Sequence, residues 1–182
     1  MSSHCLPSQT IGPFYDFALT SNQKLGCMIG PDVKGERIAL RLTLLDGDGA
    51  PVPDGMIELW QADADGTYAH PNDAFCGFGR LGTDQLGVCL FETIRPGRVT
   101  GESGGLQASH INVSIFARGL LARLVTRVYF AGNPALEEDT VLALVPAVRR
   151  HTLIAQPDAT RPGQWNLDIR LQGERETVFF DV

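Results

Sequence analysis

Short alternations of apolar and polar residues, each closed by a glycine- or proline-rich turn, run through this chain and constrain it to a β fold. In "RIALRLTLLD" (37–46), Ile38, Leu40, Leu42 and Leu44 fall on one face, because successive side chains of a strand point to opposite sides. "WNLDIRLQ" (165–172) repeats the pattern with Trp165, Leu167, Ile169 and Leu171 inward. Further strands are predicted at 56–63, 87–94, 108–117 and 123–130, and in the terminal "ETVFFDV". With 20 Gly and 11 Pro between these runs, about seven strands in turn-rich order predict an all-β, two-sheet β-sandwich. Helix is confined to short pieces. Only 134–149 has a helical pattern, and Pro146 is expected to break it. The first 35 residues are irregular and are read as a long N-terminal arm contributing to a partner interface, with the sandwich over 36–182.

Composition removes several function classes. At 182 residues and 43% hydrophobic content the chain can bury one sizeable core. Fifteen Lys and Arg against 21 Asp and Glu give a net charge of -6, with no basic stripe for nucleic acid. No apolar run approaches the ~18 residues of a membrane span. The start "MSSHCLPSQT" does not read as a secretory signal. Cys5, Cys27, Cys76 and Cys89 form no CxxC pair, which predicts reduced thiols in a cytoplasmic protein.

The candidate chemistry centres on "HINVSIF" (110–116), where strand geometry puts His110 and Asn112 on one face. A second imidazole two residues on would suggest a metal site; here an amide takes that place. "DADG" (63–66) lacks the ligand set of a calcium loop, and "DGDG" (46–49) reads as a hairpin turn. No nucleophile elbow or phosphate loop occurs.

The blocks "IELWQADADGTYAH", "GFGRLGTDQLG", "TIRPG", "HINVSIFARG", "TRVYF" and "DIRLQGERETVFFD", with "PSQTIGPFY" near the start, resemble the intradiol ring-cleaving dioxygenases. These are β-sandwich enzymes with a mononuclear non-haem iron(III). The likeness runs in order from about residue 7 to the end, and within the family it is to the alpha-type chains, which lack a complete ligand set. Family members ligate iron through two tyrosines and two histidines. The resemblance carries these positions to Tyr68, Val99, His110 and Asn112, so two of the four donors are replaced by an isopropyl group and a carboxamide. Iron(III) favours hard anionic oxygen donors and imidazole. The remaining phenolate and imidazole are therefore expected to hold no metal, and Tyr68 and His110 to persist as hydrogen-bonding residues of a collapsed pocket. Tyr129 alternates within its strand and is read as a packed or surface aromatic. Tyr15, like Tyr129, could move into the gap; His4 and His151 find no ligand partner by spacing, and a Tyr68/His70/His110 site is a further alternative.

What the resemblance implies is a chain that carries no catalytic residue itself. It would pair in an αβ hetero-oligomer with a beta chain bearing the iron(III). The shared site would open 3,4-dihydroxybenzoate (protocatechuate) with O2 to 3-carboxy-cis,cis-muconate. Thr10, Gly12, Pro13 and Arg118 match the family's substrate-binding lip. Glycine lets backbone approach a ligand, proline stiffens the lip, and a guanidinium suits a carboxylate. Two other readings remain open: a self-sufficient dioxygenase with a rearranged metal site, and a non-enzymatic β-sandwich binding module.

Overall fold

The computed structural model describes residues 17–68, 75–101 and 104–181. Eight strands are present: β1 (Arg37–Leu45), β2 (Met56–Trp60), β3 (Phe78–Gly82), β4 (Val88–Ile94), β5 (His110–Phe116), β6 (Leu124–Phe130), β7 (Ile154–Pro157) and β8 (Gln164–Arg170). The helical pieces named among the described residues are short: 3-10 turns at Gln23–Gly26, Pro134–Glu137 and Ala147–Leu153, and an α-helix, α1 (Thr140–Leu144). Pro146 stands at the N-cap of the last 3-10 turn, so the expected break falls where the sequence put it.

The strands form one sheet in the order β3-β2-β5-β6-β7-β8-β1-β4. This corrects the expected two-sheet sandwich: the sheet is barrel-like, with a single seam where β3 and β4 stand at the two ends of the order. The physical reason lies in β7. Its first residues pair in parallel with β6 (Tyr129↔Ile154, Phe130↔Ala155), and its last pair antiparallel with β8 (Gln156↔Asn166, Pro157↔Trp165). One strand thus turns the corner and stitches the two halves together, as strands that switch sheets do at the corners of orthogonal packings. The sequence reading missed β7 and β3, which have only four and five residues. It also made a strand of 176–182, where the chain instead forms an isolated bridge, Val125↔Phe180.

Every strand sends residues into one interior. Ile38, Leu40, Leu42 and Leu44 of β1 meet Ile57 and Leu59 of β2 and Leu81 of β3. Phe91 of β4, Ile111, Val113 and Ile115 of β5, Val128 and Phe130 of β6, Ala155 of β7 and Trp165, Leu167 and Ile169 of β8 complete the cluster. The alternation read from β1, β5 and β8 is therefore the core itself. Residues 23–33 also touch this body. Met28 is part of the core, with Ile29 and Val33 packed against it. A second, smaller cluster lies on the outer face: Ala135, Leu142, Val145 and Leu153 of the helical segment cover Ala108 and Tyr129. That cover sets one wall of the site.

Candidate functional site: a remnant pocket on the outer face of the barrel

Because Ile111, Val113 and Ile115 point inward, His110, Asn112 and Ser114 must point out. The antiparallel register places Trp60 and Arg127 opposite Asn112, and Tyr129 opposite His110. Directly opposed residues share a face, so Trp60, Asn112, Arg127, His110 and Tyr129 form one outward patch across β2, β5 and β6.

Tyr68 reaches this patch through a tight turn after β2. Asp63 Oδ1 accepts the N–H groups of Asp65 and Thr67, both at 2.9 Å, and Asp63 N–H donates to Thr67 O at 2.8 Å. Gly66 completes the turn at φ +82°, and a Cβ there would lie 1.9 Å from Arg98 O, so only glycine fits. The same arrangement recurs at Asp46 (accepting from Asp48 and Ala50) and Asp84 (accepting from Leu86 and Val88), with Gly49 and Gly87 at positive φ. The first aspartates of "DADG" and "DGDG", Asp63 and Asp46, are thus occupied by backbone donors, an Asx-turn use of the side chain.

The four positions that the resemblance marks as ligands lie on neighbouring segments. Gly97 N–H donates to Asp63 O at 2.8 Å, and Gln107 N–H to Val99 O at 2.8 Å, which ties the segments carrying Tyr68, Val99 and His110 side by side. Asn112 Nδ2 donates to Tyr68 OH at 3.1 Å. Tyr68 stacks on Trp60, with ring centroids 5.9 Å apart and planes 9° from parallel. His110 is buried, and its Nδ1–H donates to Ala108 O at 2.8 Å. Burial first, and the Arg127 charge second, push its pKa from 6.5 down to about 4, so the imidazole is neutral at physiological pH. Val99 is buried and offers no donor atom.

Beneath His110 lies a polar network that the sequence reading missed. Asp139 is fully buried and caps α1. Its Oδ1 accepts from Val141 N–H at 3.0 Å, Leu142 N–H at 2.7 Å and Tyr129 OH at 3.1 Å; its Oδ2 accepts Ala108 N–H at 2.7 Å. Burial pushes the Tyr129 phenol up to about 12, so it is the donor to Asp139. Arg127 Nη1 donates to Gln107 Oε1 at 3.0 Å and to Tyr129 OH at 3.4 Å. Two signals were readable: an aspartate just before "TVLAL" is an N-cap pattern, and an arginine in "RLVTRVYF" alternates onto the face of Tyr129.

This donor set does not fit a ferric ion. Val99 supplies nothing and Asn112 is engaged as a donor to Tyr68. The Arg127 guanidinium that helps depress His110 adds positive charge beside the imidazole, which disfavours a trivalent cation. Among the described residues no group of three or more His, Cys, Asp or Glu side chains could hold a metal. Of the two readings of Tyr129, packed or surface, the buried one holds, and His151 is an exposed residue of the last 3-10 turn. His4, Tyr15 and His70 lie outside the described residues, as do Thr10, Gly12 and Pro13.

Arg118 stands apart from this patch. It follows the C-terminal end of β5, eight residues past His110, or roughly 25 Å at the usual strand rise. Its Nε pairs with Asp54 Oδ2 in the β1–β2 connection, and the side chain is 77% exposed. An arginine so placed does not serve its own chain's pocket and is accessible to a neighbour.

Comparison with known proteins gives the family. The profile of a family described as "Dioxygenase" matches residues 11–173. The chain is 40% identical to the protocatechuate 3,4-dioxygenase alpha chain of Burkholderia cepacia, over 97% of this chain and 96% of that one. It is 34% identical to the beta chain of the same enzyme from that organism, over 93% and 77%. The dioxygenase domain of a dioxygenase–carbohydrate-binding fusion from Streptomyces sp. SirexAA-E shares the fold, with a TM-score of 0.67 at 23% identity over 92% and 97% of the two chains. By profile match and by identity over nearly its whole length, the chain belongs to the intradiol dioxygenase family.

Proposed function

We propose that this chain is the iron-free alpha subunit of a protocatechuate 3,4-dioxygenase, which joins an iron(III)-bearing beta chain in an αβ complex. The complex opens 3,4-dihydroxybenzoate between its hydroxyl-bearing carbons with O2, both oxygen atoms entering the product, 3-carboxy-cis,cis-muconate. The observation that carries this reading is the depleted donor set: valine and a hydrogen-bonded asparagine stand at two of four inherited ligand positions. The likeness to alpha chains over nearly the full length supports it. The metal, held by the partner, supplies the activation of the diphenol towards oxygen.

The role left to this chain is to complete and charge the mouth of the partner's site. Arg118 is exposed, permanently cationic and beyond reach of its own pocket. Thr10, Gly12 and Pro13 form the stiff part of the lip, and residues 1–35 supply part of the contact with the beta chain. The cytoplasm suits the free thiols at Cys27, Cys76 and Cys89. No described helix is long and apolar enough to cross a membrane.

Expression of this chain alone should yield a colourless, inactive protein, and co-expression with its beta chain a coloured complex with one iron per αβ unit. Stoichiometric iron and turnover in the chain by itself would establish a self-sufficient dioxygenase instead. Removing residues 1–20 is expected to impair turnover of the complex; normal turnover without them would remove the lip from the mechanism.

A further inference from the structure

The outward patch across β2, β5 and β6 is not an apolar filling. Arg127 is half-buried at its centre, directly opposite Asn112. Nearby arginines have carboxylate partners: Arg80 Nη2 lies 2.5 Å from Glu58, and Arg98 Nη2 lies 3.4 Å from Glu138. Arg127 has none among the described residues. Its contacts are a neutral amide and a neutral phenol, both through Nη1. Asp139, the nearby carboxylate, is reached only through the Tyr129 hydroxyl, and its oxygens already accept four donors. A guanidinium held by neutral acceptors keeps most of its charge for an external anion, and its planar fork matches a carboxylate.

The other wall is aromatic. Tyr68 and Trp60 lie parallel, and Trp60 remains 42% exposed although it sits in the sheet beside Asn112. Asn112 joins the two halves, since it is hydrogen-bonded to Tyr68 and is the strand neighbour of both Trp60 and Arg127. An aromatic pair and a guanidinium on one face suit the two ends of a small aromatic acid.

We propose that this pocket is a second, non-catalytic binding site, which takes the carboxylate of a small aromatic acid on Arg127 and its ring beside Tyr68 and Trp60. The site belongs to this chain alone and does not rest on the αβ assignment. Binding is non-covalent, and no bond in the ligand changes.

The test uses the full-length chain with 4-hydroxybenzoate as the probe, followed by calorimetry and by tryptophan fluorescence. Trp60 and the buried Trp165 are the two tryptophans, and Trp60→Phe assigns the signal. Saturable binding of one acid per chain is expected, with phenol and acetate each binding at least about tenfold more weakly because each lacks one end of the match. Arg127→Gln should weaken the acid about tenfold or more while leaving phenol unchanged. Arg127→Lys, which keeps the charge without the fork, should fall between. In the assembled complex two molecules of acid per αβ unit should be counted, and one when the alpha chain carries Arg127→Gln. Three results would each overturn the site: no saturable binding, phenol binding as tightly as the acid, or an affinity that Arg127→Gln does not alter. The comparison of acid with phenol needs no variant, so a poorly folding substitution would not leave the question open.

Discussion

At the residue scale, the pocket is decided by three side chains. Val99 and Asn112 remove donors, and Arg127 places a positive charge beside His110. Restoring the inherited chemistry should therefore need all three changes. The triple variant Val99→Tyr, Asn112→His, Arg127→Gln is expected to bind ferric ion with a visible tyrosinate band, and Asn112→His alone is not. Metal analysis after gel filtration checks both. His110 gives a pH signature. Its folded pKa of about 4 lies below the ordinary 6.5, so between those values the unfolded chain binds a proton that the folded chain does not. Its contribution is complete above pH 6.5 and is lost as pH falls towards 4. From pH 7 to pH 5 the loss is about 2 kcal/mol at most, measurable as a drop in the urea midpoint. The slope of that drop should flatten in His110→Gln.

Short helical segments do at the element scale what a longer helix would do elsewhere. A helix of five residues, α1, has little stability of its own. It is held because Asp139 caps it and the same carboxylate binds Ala108 N–H and Tyr129 OH across the pocket floor. Asp139→Ala would orphan these buried donors and is expected to cost about 2–4 kcal/mol. For a domain of this size that is a fall of roughly 5–15 °C in Tm, read by calorimetry. Asp139→Asn, which keeps an acceptor oxygen, should cost less. The turn that aims Tyr68 depends equally on one residue. Gly66 has both a left-handed φ and a carbonyl in the space of its absent Cβ.

Over the whole molecule, the barrel separates two surfaces of different use. The remnant pocket lies at the N-terminal end of β5 and Arg118 beyond its C-terminal end. In the proposed αβ complex the second surface is the one that faces the partner's site. In the αβ complex Arg118→Ala should raise KM for protocatechuate more than KM for uncharged catechol, by about 1–3 kcal/mol if the guanidinium meets the carboxylate. Equal effects on the two substrates would remove carboxylate recognition from its role. Asp54 pairs with this arginine in the isolated chain, an exposed contact of the kind that contributes little to stability and yields readily to a better partner.

By itself the sequence determined the β class and the inward faces of β1, β5 and β8, because period-two alternation is a local property read one residue at a time. Only the tertiary structure decided how the strands close. Whether two halves are separate sheets or one barrel-like sheet turns on β7, four residues whose pairing with β6 and β8 leaves no mark in their own composition. The Asp139–Tyr129–Arg127–Gln107 network was hidden for a related reason. Its members are spread over 33 positions (107–139), and they meet only because strand register and the helical cover bring them to one face. Long-range pairing, not local preference, created the charge that now occupies the pocket.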